Sequence, residues 1–244
     1  MSEVYETDKL LSEYLLFHYG SADEVLPPEG GWPVGMHEAL DFAVRTTSHF
    51  SEEQALRCLD LGCAVGRSTF EMARHADEVL GIDFSQAFIG AAESLAAGHP
   101  ILYERLEEGN VSTKFEAIAP EGVDLGRVSF TLGDAMNLPH DLGCFDRLHA
   151  ANLICRLPEP LKLLNRLPNL VVSGGEMVLA TPATWLASFT PHEHWPNGCT
   201  RDWLVDHLDD SFELTKELEE PFLIRETARK FQWSRSLVTV WRRR

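Results

Sequence analysis

The sequence has little positive charge and no long hydrophobic run. Its 38 acidic residues outnumber its 21 Lys and Arg residues, which gives a formal net charge of -17 at pH 7. A surface this acidic repels phosphate backbones and anionic lipid head groups, so neither nucleic acid nor a membrane is expected as a partner. No stretch approaches the roughly 18 apolar residues of a membrane span, and the polar opening MSEVYETDKL has no apolar signal-peptide region. We therefore expect a cytoplasmic protein.

Cysteine pairs and metal-binding spacings are also missing. The five cysteines contain no C-x-x-C pair, and their scattered positions fit neither a disulfide framework nor a zinc knuckle. The histidines of PHEHW lack the H-E-x-x-H spacing that places two ligands on one helix face. The sequence therefore predicts reduced thiols and no metal site.

Flexible linkers, internal repeats and low-complexity segments are absent as well. The 244 residues are 44% hydrophobic, which is enough to form a sizeable core. We expect a single domain over residues 1–244 in four parts. These are an N-terminal helical cap (1–54), a cofactor-binding core (55–182), a lid loop (183–200) and a terminal helix with a β-hairpin (201–244).

The sequence does contain an alternation of helix and strand patterns. Residues 10–18 follow a helical period, and the apolar positions of residues 36–43 predict a second amphipathic helix. From residue 55 onward, five strand-like runs alternate with helices, and Ser85 is a plausible N-cap of one of them. Such alternation predicts parallel strands with helices on both faces of the sheet.

Two further segments predict antiparallel hairpins. One lies within residues 98–127, around Glu108-Gly109-Asn110, and the other is formed by SFELTKELEE and KFQWSRSLVTVWRR. The expected fold is therefore an α/β, Rossmann-like seven-stranded sheet, mostly parallel, with a terminal antiparallel hairpin and an N-terminal helical cap.

A glycine turn, CLDLGCAVGRST, follows the first core strand. Gly62 and Gly66 permit positive φ and close approach of a ligand to the backbone. The dinucleotide pattern G-x-G-x-x-G would need glycines where Ala64 and Arg67 stand, and the spacing is one residue short of a phosphate loop. The turn resembles the D-x-G-x-G-x-G pattern of class I S-adenosylmethionine-dependent methyltransferases, beginning at Asp60. Ala64 departs from that pattern, which is tolerable at an ordinary φ.

Acidic residues also follow the next two core strands. Asp83 in GIDFS is placed to accept hydrogen bonds from both ribose hydroxyls of a nucleoside. Asp134 in GDAMNLP lies where class I methyltransferases commonly carry an acid that meets the adenine amino group. Since the carboxyl ends of parallel strands share one edge of a sheet, Asp60, Asp83 and Asp134 are expected at one site.

The predicted cofactor is S-adenosyl-L-methionine, with S-adenosyl-L-homocysteine as its product and no metal. The predicted cofactor-binding residues are Asp60, Gly62, Cys63, Ala64, Gly66, Arg67, Asp83, Phe84, Asp134, Ala135 and Asn152.

Three segments are similar to a narrower family. YETDKLLSEYLLFHYG, DLGCAVGRSTFEMAR and TPATWLASFTPHEHW resemble the methyltransferase domain of ovothiol-biosynthesis enzymes, and the resemblance runs from residue 5 to about residue 200. It implies N-methylation of the imidazole of 5-thiohistidine (4-mercaptohistidine), at the nitrogen nearer the side-chain attachment, and Ala64 is typical of the family. Many members carry this domain behind an iron-dependent sulfoxide synthase. Since 244 residues leave no room for one, a separately encoded synthase is the expected pathway partner.

Candidates for binding the acceptor lie on three segments. They are the first helix, the end of the fourth core strand and the aromatic lid loop, which also holds His194. The predicted substrate-binding residues are Tyr14, His18, Tyr19, Trp185, Phe189, His192 and Trp195, and the catalytic candidates are Tyr14, His18 and Asn152. Each also fits ordinary packing. A strong protein base is not required, because an activated methyl donor leaves the protein mainly alignment and exclusion of water.

Three other functions remain compatible with these residues. The chain could methylate another small acceptor, such as a carboxylic acid or a phenol, or it could be a non-catalytic sensor that binds S-adenosylmethionine. A nicotinamide oxidoreductase is disfavoured by the missing glycines at positions 64 and 67.

Overall fold

The structure, a computed structural model, describes residues 3–244, with side chains described from Tyr5 onward, so the first two residues of the predicted cap lie outside the described residues. Its strands are β1 (Ala55–Leu61), β2 (Ala76–Asp83), β3 (Ile101–Glu108), β4 (Val111–Ala117), β5 (Val128–Leu132), β6 (Phe145–Ala151), β7 (Val171–Thr181), β8 (Phe212–Arg225) and β9 (Phe231–Arg243). Its helices are α1 (Asp8–Tyr19), α2 (Ala22–Val25), α3 (Phe42–Thr47), α4 (Arg67–Met72), α5 (Gln86–Ala96), α6 (Pro160–Arg166) and α7 (Thr200–Leu208).

Seven strands form the central sheet in the order β5-β2-β1-β6-β7-β9-β8. The pairs from β5 to β7 are parallel, and β9 runs antiparallel to both β7 and β8. Strands β3 and β4 form a separate antiparallel hairpin. The predicted Rossmann-like sheet and both predicted hairpins are therefore confirmed. Because β9 lies between β7 and β8, the last strand is an interior strand of the sheet and β8 is an edge strand.

Two sequence predictions about connections are wrong. Residues 36–43 do not form one helix: a 3-10 turn at His37–Ala39 is separated from α3 by Asp41, whose φ of 55° is incompatible with a continuous right-handed helix. The alternation of strands and helices also fails between β5 and β6, where residues 133–144 form no helix. This segment contains Pro139 and Gly143, the latter at a φ of 86°, and both interrupt helical backbone.

Apolar side chains fill both faces of the sheet. Successive residues of a strand point to opposite faces, so Cys58 packs in the cluster that contains α3, whereas Leu59 packs in the cluster that contains α6 and α7. A third cluster joins α1 and α5 at the side of the glycine turn. Among the described residues, none of the helices combines the length and apolar character that crossing a bilayer requires.

Helix α1 lies over the glycine turn. Its N-cap Thr7 accepts a hydrogen bond from the backbone amide of Leu10, which fixes where the helix begins. At its other end, the Tyr19 hydroxyl donates to the carbonyl oxygen of Val65 at 2.7 Å, and Arg67 Nη1 donates to the carbonyl oxygen of His18 at 3.2 Å. These contacts hold the first helix above the carboxyl ends of β1 and β2.

Candidate functional site

A cavity of about 390 Å³ lies at the carboxyl edge of the sheet, beneath α1. This edge is where open α/β sheets bind their ligands. The residues that line the cavity are Tyr5, Tyr14, Phe17, His18, Phe42, Ala43, Gly62, Cys63, Ala64, Ser68, Ile82, Asp83, Phe84, Phe88, Gly133, Asp134, Ala135, His149, Ala151, Asn152, Leu153, Arg156, Leu157, Pro158, Ser188, Phe189 and Ile224.

The glycine turn reaches the cavity through left-handed backbone. Gly62, Ala64 and Gly66 have φ values of 71°, 47° and 90°. A Cβ at Gly66 would lie 2.7 Å from Cζ of Phe130, so only glycine fits there. Ala64 does not have the ordinary φ at which an alanine here would be tolerated without cost; it adopts a conformation that costs an L-residue on the order of 1 kcal/mol. The turn therefore keeps the backbone shape of a three-glycine motif although its middle position carries a methyl group.

Asp83 presents a carboxylate at the end of β2. Its oxygens accept hydrogen bonds from the backbone amides of Ala64, at 3.0 Å, and Ser85, at 2.9 Å. Burial raises the pKa of Asp83 to about 6, the two amides oppose this rise, and the nearby Asp60 adds to it. The carboxylate is thus held in place with oxygen lone pairs left for a hydroxyl donor.

Asp60 does not line the cavity; it holds His149, which does. Asp60 accepts a hydrogen bond from Thr69 Oγ1 at 2.7 Å, and its second oxygen lies 2.8 Å from His149 Nδ1. The other ring nitrogen, Nε2, lies 3.0 Å from Thr46 Oγ1. Sequence reasoning missed His149, although a histidine within the apolar strand FDRLHAA needs a partner, and Asp60 is its direct neighbour in the parallel pairing of β1 and β6.

Of the remaining predicted cofactor-binding residues, some line the cavity and others do not. Phe84, Cys63, Asp134, Ala135 and Asn152 all line the cavity. The Asp134 carboxylate accepts a hydrogen bond from the Met136 amide at 2.9 Å. Asn152 has a φ of 55°, and its side-chain oxygen accepts a hydrogen bond from Ser236 Oγ at 2.7 Å.

Gly66 and Arg67 do not line the cavity. Arg67 pairs with Glu71 at 2.9 Å and, through its bond to the carbonyl oxygen of His18, ties α4 to α1. The assignment of Arg67 to cofactor binding stays a prediction, and its contacts in the structure are with Glu71 and His18.

Tyr14 and His18 of α1 both line the cavity. Their rings stack at a centroid distance of 5.9 Å, and Tyr14 lies 4.7 Å from the ring of Phe88. Burial, reinforced by the positive charge of Arg67, lowers the pKa of His18 to about 3, so the imidazole is neutral at physiological pH. Its Nδ1 atom is buried and has no hydrogen-bond partner among the described residues. Such an atom is available to a ligand.

Only part of the predicted lid loop reaches the cavity. Phe189 lines it together with Ser188, whereas Trp185, His192, His194 and Trp195 do not, and neither does Tyr19 of α1. Trp185 donates a hydrogen bond to Thr200 Oγ1 at 2.9 Å, and Trp195 donates to the carbonyl oxygen of Thr190 at 2.7 Å. These indoles bind the loop to itself and to α7.

Several lining residues carried no sequence signal. The Tyr5 ring packs against Phe84 and Phe88 at centroid distances of 5.4 and 5.9 Å, and Phe17 and Phe42 lie 6.2 Å apart. The lining residues without a sequence signal are Tyr5, Phe17, Phe42 and Arg156. They meet only because α1 with the segment before it, α3 and the segment after β6 pack together. Among residues 3–244, no group of three or more potential metal ligands comes together.

The geometry fits a nucleoside with a small polar tail. The Asp83 carboxylate has lone pairs left for hydroxyl donors, the turn from Gly62 to Ala64 brings its backbone to the cavity, and Asp134 and Ala135 line the cavity as well. The unpaired Nδ1 of His18 supplies one further polar group.

Comparisons with known proteins agree with this geometry. Residues 52–222 match the family model of a methyltransferase domain. Ajmaline N-methyltransferase from Rauvolfia serpentina is 24% identical over 129 residues, which are 52% of this chain and 36% of that enzyme. The chain therefore matches only about a third of the length of this curated relative.

Solved structures share the fold over nearly the whole chain. The N-methyltransferase NodS from Bradyrhizobium japonicum, in complex with S-adenosyl-L-homocysteine, matches with a TM-score of 0.56 and 15% identity, covering 96% of this chain and 98% of that one. The cyclase SpnF matches with a TM-score of 0.60 and 15% identity, covering 98% and 94%. Because the family match spans most of the sequence, the chain belongs to the methyltransferase-domain family, and the fold that it shares with these structures supports S-adenosyl-L-methionine as its cofactor.

Proposed function

We propose that this protein methylates an imidazole nitrogen of 5-thiohistidine, forming ovothiol. The observation that carries the proposal is the composition of the cavity next to Asp83. The neutral imidazole of His18 stacks on the ring of Tyr14, and its Nδ1 lacks a partner among the described residues. The rings of Phe88 and Phe189 line the same cavity. A planar heteroaromatic amino acid would stack on such rings and hydrogen-bond to that nitrogen. The resemblance of the three sequence segments to ovothiol-biosynthesis methyltransferases supports the same acceptor.

The cofactor half of the site would be formed by the glycine turn and the strand-end acids. Asp83 would accept hydrogen bonds from the ribose hydroxyls, and Asp134 would meet the adenine amino group. When bound, S-adenosylmethionine supplies an electrophilic methyl group on a positively charged sulfur. The chain's own residues then have to align an acceptor nitrogen with that methyl group and keep water away.

The acceptor half would be formed by α1 and its aromatic neighbours. An unprotonated ring nitrogen of the acceptor would form the new bond to the methyl carbon as the carbon–sulfur bond breaks, and the methylated ring would then lose its proton to water. Because the pKa of His18 is lowered to about 3, this imidazole is a poor store for a proton but a permanent hydrogen-bonding group. We assign His18 to orienting the acceptor ring, and Tyr14 and Phe88 to holding its plane.

The proposal includes how the acceptor arises. The sulfur of 5-thiohistidine would be installed by a separately encoded sulfoxide synthase. Residues 1–244 would then act as one methyltransferase domain, in which the cap (1–54) and the lid loop (183–200) complete the acceptor site.

A mass-spectrometric transfer assay tests the function. Purified protein is incubated with S-adenosylmethionine and either 5-thiohistidine, histidine or no acceptor. The expected result is one methyl group added to 5-thiohistidine, with little on histidine, and loss of transfer in Asp83→Ala. Arg201→Gln serves as the control variant, because Arg201 is exposed and pairs with Glu217 on the surface.

Two outcomes would contradict the proposed acceptor. Transfer to another small molecule, but not to 5-thiohistidine, would assign the site to a different acceptor. Tight binding of S-adenosylhomocysteine without transfer to any acceptor offered would point to a sensor.

A further inference from the structure

One positively charged side chain lies in the cavity without a carboxylate partner. Arg156 ends the short 3-10 turn Ile154–Arg156 that follows β6. It is the one Lys or Arg among the described residues that line the cavity, and within the described part of the chain it forms no ion pair. A partly buried cation without an anion is costly, so this position favours a negatively charged ligand.

The guanidinium of Arg156 is held in a fixed orientation. Nη1 donates to the carbonyl oxygens of Cys155, at 3.1 Å, and Thr184, at 2.8 Å, and Nη2 donates to Thr184 Oγ1 at 3.0 Å. The ring of Phe189 lies 5.2 Å from its central carbon. These contacts tie the arginine to the start of the lid loop and remove the flexibility of its long side chain.

Part of the guanidinium remains available for a ligand. The Tyr5 hydroxyl lies within hydrogen-bonding reach of the guanidinium. Apart from it, Nε has no acceptor among the described residues, and Nη2 carries a second N–H besides the one given to Thr184. These two N–H groups form the side of the planar guanidinium that binds a carboxylate through two parallel hydrogen bonds.

The surroundings of Arg156 favour an anion that is not part of the cofactor's nucleoside. Asp83 and Asp134, the acids that line the cavity, lie at the ends of β2 and β5, where the ribose and adenine are expected. Tyr5 lies close to the guanidinium: burial raises the pKa of this phenol, and the positive charge of Arg156 opposes that rise. A phenol that keeps its proton is a second donor for the same anion.

We propose that Arg156 binds the α-carboxylate of an amino-acid acceptor, with the Tyr5 hydroxyl beside it, and thereby makes that carboxylate a requirement for methylation. The inference rests on the proposed function and names the group of the acceptor that the protein recognises. A guanidinium held by Thr184 would place the amino-acid end of the acceptor at the lid loop. The heteroaromatic ring would then lie toward Tyr14 and His18.

The test compares two enzymes, each assayed with two acceptors. Wild type and Arg156→Gln are assayed with 5-thiohistidine and with its carboxamide, in which a neutral amide with one acceptor oxygen replaces the carboxylate. For wild type, kcat/KM should fall about 10- to 100-fold from the acid to the amide, the range of a charge-assisted bidentate contact. Arg156→Gln should lose a similar factor on the acid but treat the two acceptors alike.

Further measurements separate this contact from folding and from cofactor binding. Arg156→Lys keeps the charge without the bidentate geometry and should show an intermediate preference for the acid. Affinity for S-adenosylhomocysteine, measured by calorimetry, should be unchanged in both variants, and Arg201→Gln should behave as wild type. Thermal melting shows whether each variant is folded.

Three results would overturn the proposal. One is that Arg156→Gln prefers the acid as strongly as wild type does. Another is a parallel loss of S-adenosylhomocysteine binding, which would assign Arg156 to the cofactor's own carboxylate. The third is equal use of acid and amide by wild type. If wild type methylates neither acceptor, the proposed function has failed, and calorimetric binding of the two acceptors in the presence of S-adenosylhomocysteine still tests the arginine.

Discussion

The charge of the buried Asp83 carboxyl group should depend on whether a ligand is bound. Desolvation favours its neutral form, whereas the amides of Ser85 and Ala64 favour the ionised form, and the balance raises its pKa to about 6. In the free protein this carboxyl group therefore contributes most to stability at low pH, and that contribution is lost as the pH rises from about 4 to about 6. A ligand whose hydroxyls donate to the carboxylate reverses the preference, because it binds the ionised form.

Cofactor affinity should consequently depend on pH. Calorimetric titration of wild type with S-adenosylhomocysteine should show constant affinity above about pH 7 and a loss approaching tenfold per unit below about pH 6. Asp83→Asn, which cannot ionise, should bind more weakly at pH 7.5 and lose little further affinity toward pH 5. An identical pH profile in wild type and variant would mean that another group controls binding.

At the scale of elements, the segment before α1 is attached to the start of α5. Glu6 accepts hydrogen bonds from the amides of Gln86, at 3.0 Å, and Ala87, at 3.2 Å. A carboxylate at a helix N-terminus is favoured by the helix dipole and by the free N–H groups there. The adjacent Tyr5 lines the cavity, so Glu6 positions a ring of the site without touching the cavity itself.

Removing this attachment should loosen the segment and weaken acceptor binding. In Glu6→Ala, hydrogen exchange at the amides of Gln86 and Ala87 should accelerate about 5-fold, and the KM for the acceptor should rise, with melting temperature lowered only slightly. Glu116→Ala, an exposed change on β4, is the matched control. Unchanged exchange at both amides would show that the contact does not hold the segment in solution.

At the scale of the whole molecule, acidic charge is in large excess. A formal net charge of -17 over 244 residues produces repulsion that opposes the compact state. Some ion pairs stabilise the compact state, and examples that are buried or half-buried are Arg225–Glu107, at 3.0 Å, and Arg147–Glu176, at 3.4 Å. Salt screens such pairs less than it screens exposed charges. Net repulsion between exposed carboxylates should therefore dominate the response to salt.

The melting temperature should rise by a few degrees when NaCl is increased from about 20 to about 200 mM, since the Debye length falls from roughly 20 Å to 7 Å over this range. Scanning calorimetry at pH 7.5 measures the effect, and KCl at equal ionic strength should reproduce it. A decrease would mean that attractive ion pairs outweigh the excess of acidic charge.

The sequence by itself determined the order of the strands from residue 55 onward, both hairpins, the glycine turn, and the placing of Asp83 and Asp134 at strand ends. Hydrophobic periodicity and turn chemistry are local properties, so they can be read from neighbouring residues. It did not reveal the break at Asp41, whose backbone conformation interrupts an otherwise helical pattern.

Only the tertiary structure decided which side chains meet. The pairing of Asp60 with His149, the insertion of β9 between β7 and β8, and the exclusion of Arg67 and Trp195 from the cavity depend on segments far apart in the chain. The same holds for Arg156, whose guanidinium reaches the cavity because Thr184 holds it. Such contacts arise when elements pack against one another, and no periodicity in the sequence encodes them.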